Sequence, residues 1–116
     1  MAVSDCLFCK IVQKKIDSEF VYEDDQCIAI KDIAPATPIH LLIIPKKHIP
    51  SLDQVEVDDA ALLGHMQLVA ARLARQLGIA DQGYRLLSNC GEGGGQAIFH
   101  LHYHLMGGKK LGWPPE

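Results

Sequence analysis

Apolar residues recur every three to four positions from Asp58 to Leu77, with Leu62, Met66, Val69, Leu73 and Leu77 along one stripe. That is the period of an amphipathic helix, with Asp58 or Asp59 available as its N-cap and Gly78 just beyond its end. Before it, Phe20 to Glu23, Cys27 to Asp32 and Ile39 to Pro45 are β-prone runs, parted by Asp24-Asp25-Gln26 and by Ala34-Pro35-Ala36-Thr37-Pro38. After it, Tyr84 to Asn89 and Ile98 to Met106 return to strand-like patterning around a loop with Gly91, Gly93, Gly94 and Gly95. Cys6 to Lys15, apolar at Leu7, Phe8 and Ile11, has room for a short helix. This order of elements predicts an α+β domain, an antiparallel five-stranded meander sheet with one short and one long helix, and gives no support to parallel βαβ winding.

No repeat or long linker interrupts the 116 residues, so a single domain is expected over residues 5–112, followed by a short tail at residues 113–116. A net charge of −3 removes the broad basic footprint of sequence-independent nucleic-acid binding, and no nucleic-acid partner is expected. No apolar run approaches the ~18 residues of a membrane span, and the first residues lack the basic-then-apolar pattern of a secretory signal. A cytoplasmic protein without a membrane partner is therefore expected. A domain of this length buries about two-thirds of the surface its unfolded chain exposes, without needing a metal or disulfides to fold. The four Cys and six His therefore need an explanation of their own. Cys6 and Cys9 form a C-x-x-C, half of a tetrahedral metal site, while Cys27 and Cys90 stand alone.

His100, His102 and His104 alternate with Leu101 and Tyr103. On a strand such residues share one face about 6.5–7 Å apart, while Phe99, Leu101, Tyr103 and Leu105 turn toward a core. Three readings follow. The face could be a three-His metal site, which requires the strand to bend. It could instead hold a nucleophilic imidazole and its helpers. Or it could divide between the two jobs, which is the reading favoured here.

His-Leu-His-Tyr-His-Leu-Met at residues 100–106 resembles the His-φ-His-φ-His-φ-φ signature of the histidine triad (HIT) superfamily of nucleotide hydrolases and transferases. The similarity extends to Cys6-Leu-Phe-Cys-Lys-Ile, to Val21-Tyr-Glu-Asp-Asp and to the run from His40 through His48. Gly94-Gly-Gln and the ending Trp113-Pro-Pro are similar to the Hint branch, the histidine triad nucleotide-binding proteins. The resemblance implies that His102 attacks the α-phosphorus of a purine nucleoside monophosphate derivative and is transiently nucleotidylated. It assigns His104 to the phosphate oxygens and His40 to a position nearby. Asp32, with Ile33 beside it, would receive the ribose hydroxyls. Asn89 and the loop ending in Gly95, Gln96 and Ala97 would border the phosphate, with the N–H groups of those last three residues donating to it. Phe8, Ile11 and Ile30 are candidates either for an apolar slot around the base or for plain core packing.

The same resemblance implies a structural Zn2+ on Cys6, Cys9, His48 and His100, a ligand set that leaves no open position for water. It also implies a two-fold homodimer with a joint sheet, in which the long helix and a sheet edge pack across the axis and the tail with Trp113 approaches the partner's site. His65 is read as a boundary or surface residue, and Cys27 and Cys90 as ordinary packing or surface positions. One departure stands out: Ala97 occupies the position where many Hint-type proteins carry Ser. The implied activity is hydrolysis at the α-phosphate of nucleoside 5′-phosphoramidates or related conjugates. The alternatives are a dinucleoside polyphosphate hydrolase and a non-catalytic nucleotide-binding or scaffold protein.

Overall fold

The β-prone runs pair into one antiparallel sheet in the computed structural model, which describes residues 5–115. The strands are β1 (Phe20–Glu23), β2 (Cys27–Lys31), β3 (Ile39–Pro45), β4 (Tyr84–Leu87) and β5 (Tyr103–Gly107), in the spatial order β1-β2-β3-β5-β4. Residues 1–4, where a signal was sought, and residue 116 of the expected tail lie outside the described part. The helices are α1 (Leu7–Val12) and α2 (Ala60–Gln76). Among the described residues no helix is long and apolar enough to cross a membrane.

The meander runs from β1 through β3 and then breaks. The 17 residues of α2 carry the chain across the sheet, so β5 lies beside β3 and β4 takes the edge. A helix of that length, roughly 25 Å at 1.5 Å per residue, spans several strands, so the next strand need not be the next neighbour. The capping signal at the start of α2 is used one turn early: Glu56 N–H donates to the Asp59 carboxylate at 2.9 Å, closing a capping box ahead of the helix. At the other end Gly78 takes a φ of +77°, the left-handed geometry that favours glycine.

Alternation along the strands sorts side chains between two layers. Cys27, Ala29, Leu41, Ile43 and Leu105 pack against Met66, Val69 and Leu73 of α2. The opposite face sets Ile28, Ile30, Leu42 and Ile44 against Cys6, Phe8 and Ile11 of the α1 segment. His40 and His104, which fall in step with Leu42 and Met106, belong to this second face.

One strand is shorter than its sequence pattern. β5 begins at Tyr103 and not at Ile98, so His100 and His102 lie on an irregular segment leading into it. Two anchors pull that segment off the ladder: Leu101 N–H donates to the Ile49 carbonyl at 2.6 Å, and the Gln96 amide donates to the Pro50 carbonyl at 2.7 Å. The expectation of three histidines regularly spaced on one strand face is corrected accordingly.

Candidate functional site

The turn that opens α1 brings its two cysteines together, because Cys6 Sγ accepts the Cys9 N–H at 3.4 Å. His48, in the loop after β3, and His100, on the bent segment, complete a cluster. Cys6 Sγ lies 3.3 Å from His100 Nδ1, Cys9 Sγ 3.2 Å from His48 Nδ1, and the two Nδ1 atoms 3.1 Å apart. A tetrahedral zinc ion with bonds of about 2.0–2.3 Å holds its donors roughly 3.3–3.8 Å apart, so the arrangement suits that ion with little movement. His100 Nε2 donates to the Pro45 carbonyl at 2.8 Å, which turns the Nδ1 lone pair toward the thiols. Burial pushes His100 down to about 4 and keeps it neutral. Burial and the hydrogen bond and charge of Cys6 push the Cys9 thiol up to about 11, a penalty that a bound cation reverses. All four residues expected to hold a metal are thus brought to one point.

His102 is oriented by the residue two positions earlier. Its Nδ1–H donates to the His100 carbonyl at 2.8 Å, so the Nε2 lone pair is left for chemistry. Ser88 donates to the His102 carbonyl at 2.9 Å, and Phe8 stands edge-on to the His102 ring with centroids 5.0 Å apart. Burial lowers the pKa of His102, which favours the neutral nucleophilic form.

His40 on β3 and His104 on β5 are diagonal neighbours, since Leu42 is the residue that pairs with His104. The Ala36 N–H donates to His40 Nδ1 at 3.0 Å. A backbone N–H can only donate, so neutral His40 carries its proton on Nε2, which faces His104 Nδ1 at 2.9 Å. His104 accepts there and keeps its own proton on Nε2 as a donor. Burial, followed by the charges of His102 and His40, pushes His104 down to about 4. Asp32 Oδ2 lies 3.4 Å from His40 Nε2, and Asp32 Oδ1 accepts the Ala34 N–H at 2.8 Å. Ile33, beside it, is fully exposed.

Gly91 and Gly95 have φ of +74° and +84°, and the glycine loop closes on itself: Gly95 N–H donates to Glu92 O and Gln96 N–H to Gly91 O, both at 3.0 Å. These two N–H groups are hydrogen-bonded within the turn. The Ala97 N–H has no acceptor among the described residues. The Gln96 side chain is buried and ties Gly91 N–H to the Pro50 and Ile98 carbonyls, so it shapes the loop. Asn89 spans the same loop by donating to the Gly94 carbonyl at 2.8 Å. Phe8, Ile11 and Ile30 are buried together with Leu42 and Ile44, which makes them core residues. The residues that sequence reasoning missed act through the backbone: the Pro45 carbonyl and the Ala36 N–H orient His100 and His40, and no side-chain pattern announces them.

Residues 13–111 match the family described as HIT domain. The chain is 49% identical over 111 residues, 96% of each protein, to an uncharacterized HIT-like protein of Synechocystis. Its structure is similar to that of a HIT family hydrolase from Legionella pneumophila, with a TM-score of 0.95 and 47% identity over 97% of this chain and 100% of the other. Similar at greater distance are a histidine triad nucleotide-binding protein from Candida albicans (TM-score 0.79, 32% identity, 97% of this chain and 85% of that one) and a Zn-bound histidine triad family protein from Mycobacterium smegmatis (TM-score 0.80, 31% identity, 99% and 85%). Sequence and backbone agree over almost the whole length, and the chain belongs to the HIT domain family.

Proposed function

We propose that the chain is a nucleotide hydrolase of the Hint branch that cleaves the bond at the α-phosphate of nucleoside 5′-phosphoramidates or related purine nucleotide conjugates. The observation that carries this reading is the orientation of His102, whose Nδ1–H is held by the His100 carbonyl at 2.8 Å so that Nε2 points its lone pair outward. The hydrolase and nucleotide-binding relatives support it.

In the first step His102 Nε2 attacks the α-phosphorus, the P–N bond breaks, and the leaving amine takes a proton from solvent. The Nδ1–H···O=C bond strengthens as positive charge builds on the ring. His104 holds a phosphate oxygen through its Nε2–H, and the Ala97 N–H supplies a second donor. His40 keeps His104 in that tautomer and is therefore a positioning residue. Asp32 Oδ2 accepts the ribose hydroxyls, with Ile33 over the sugar and Asn89 at the rim of the loop. In the second step water breaks the phosphorus–His102 bond and releases the nucleoside monophosphate. A Zn2+ on Cys6, Cys9, His48 and His100 would supply a structural cross-link between α1 and the segment bearing His102, a role supported by the Zn-bound relative and the donor geometry. Dimerisation is part of the same reading: β4 is an unpaired sheet edge carrying half-exposed Tyr84, and Trp113 in the tail is 85% exposed.

Ala97 favours a second substrate class. Without a hydroxyl to protonate an amine, the site suits a leaving group that departs as an anion, as from a dinucleoside polyphosphate. Incubation with adenosine 5′-phosphoramidate and with diadenosine tetraphosphate ranks the two, with acid-labile nucleotidyl label trapped on the wild type and absent from His102→Ala. Neither label nor turnover with either substrate would leave a non-catalytic nucleotide-binding protein.

A further inference from the structure

Cys27 and His65, two residues without a part in the proposed reaction, meet around Asp24 in the turn between β1 and β2. Asp24 Oδ1 accepts the N–H groups of Gln26 and Cys27 at 2.7 and 2.9 Å. Its Oδ2 accepts the Tyr22 hydroxyl at 2.7 Å and His65 Nε2–H at 2.6 Å, and lies 4.0 Å from Cys27 Sγ. One ligand-type atom from each of Asp24, Cys27 and His65 falls within 4.8 Å of the others. The three residues come from a turn, a strand and α2, so tertiary packing assembles the cluster. It is open to solvent on one side, because the Asp24 and His65 side chains keep 23% and 29% of their exposure while Cys27 is sealed behind them.

We propose that Asp24, Cys27 and His65 form a second site for a divalent transition-metal ion of the zinc type, with water or the Tyr22 hydroxyl as fourth ligand. Carboxylate, thiolate and imidazole together select zinc or cobalt over calcium or magnesium, which bind all-oxygen sets. The fit needs small adjustments. Donors around a tetrahedral ion sit roughly 3.3–3.6 Å apart, so the ion must part Asp24 from His65, now 2.6 Å apart, and draw Cys27 toward Asp24 from 4.0 Å. The carboxylate is already prepared: although burial works against its charge, hydrogen bonds from Tyr22, the Gln26 and Cys27 N–H groups and His65 hold Asp24 well below the usual carboxylate range. Burial, followed by the Asp24 charge, pushes the Cys27 thiol up to about 12, so the metal-free thiol is protonated. Binding then exchanges the Cys27 proton for the metal–sulfur bond, while His65 shifts its proton from Nε2 to Nδ1. About one proton leaves per ion bound.

The filled site would bolt α2 to the β1–β2 turn. Cys27 also pairs across the sheet with Pro45, whose carbonyl orients His100, so the two clusters are separated by one pair of strand residues.

The test uses the full chain and Co2+ as the probe, with metal content measured by elemental analysis and thiolate-to-cobalt charge transfer followed by absorbance. The wild type is expected to bind about two ions per chain, the second with release of about one proton. His65→Gln, which keeps an N–H donor for Asp24 and alters a half-exposed position, is expected to bind about one ion and to retain the charge-transfer band of Cys6 and Cys9. Cys27→Ser should do the same; if it fails to fold, His65→Gln decides. A wild type that binds one ion or fewer, or a His65→Gln variant that still binds two, overturns the proposal. Neither result bears on the nucleotide reading, which is tested by label trapping.

Discussion

His100 and His102 are the same residue type, two positions apart, and each is at least nine-tenths buried, yet the fold turns them to opposite uses. His100 gives Nε2–H to the Pro45 carbonyl and directs Nδ1 at two thiols; His102 gives Nδ1–H to the His100 carbonyl and directs Nε2 outward. A single residue, His100, therefore serves both regions, its ring in the cluster with Cys6, Cys9 and His48 and its carbonyl in orienting the proposed nucleophile. The position of a carbonyl, more than the presence of a histidine, decides which nitrogen is available.

The sharpest way to break the comparison is to remove each ring in turn. His102→Ala is expected to lower turnover by at least about 10³-fold while the melting temperature moves by only a few degrees. His100→Ala should show the reverse balance. It removes one of the four proposed zinc ligands, so metal content is expected to fall, the melting temperature to drop by on the order of 10 °C, and activity to be lost in step with the fold. A chelator applied to the wild type should reproduce that drop. Equal losses of stability in the two variants would erase the distinction.

His40 tests the other end of the face. His40→Ala leaves His104 Nδ1 without its donor at 2.9 Å and is expected to slow turnover roughly 10–100-fold. His40→Gln, whose amide can donate to the same nitrogen, should recover part of that loss and restore the shape of the pH–rate profile. Recovery of rate without recovery of the profile would show that His40 only fills space.

Acid should weaken the fold through the same residues. Burial pushes His100 and His104 down to about 4 in the metal-free folded protein against an ordinary value of 6.5, so the unfolded chain takes up their protons first. Their contribution is complete above about pH 6.5 and is lost as the pH falls toward about 4. The denaturant midpoint is accordingly expected to be lower at pH 5 than at pH 7, and His104→Asn should flatten that slope.

Alternating strands, the 3.6-residue stripe of α2 and the C-x-x-C were legible because each is a side-chain pattern with its own period. The order β1-β2-β3-β5-β4 was not, since periodicity reports which face is apolar and says nothing of which strand lies beside which. The bend at residues 98–102 was equally hidden, because its cause is a pair of hydrogen bonds to carbonyls of residues 49 and 50, about half the chain away. The internal hydrogen bonds of Gly95 and Gln96 were hidden for a related reason: glycine content marks a tight turn, but not whether its N–H groups point outward or close the turn itself. His65, read as a boundary or surface residue, is half-buried, but its contact with Asp24 has no local signature.

The smallest expected effect bears on the leaving group. Ala97 is exposed and its N–H has no acceptor among the described residues, so a hydroxyl could be added there without disturbing the loop's own bonds. A serine side chain would offer a proton donor beside the departing atom, which helps an amine that must be protonated to leave and does nothing for a phosphate that leaves as an anion. Ala97→Ser is therefore expected to raise turnover of a nucleoside phosphoramidate a few-fold, about 1 kcal/mol of barrier, and to leave a dinucleoside polyphosphate unchanged. An equal rise for both substrates would mean that the new hydroxyl acts on the shared phosphoryl group. The side chain of residue 97 would then join its N–H and His104 in holding the phosphate.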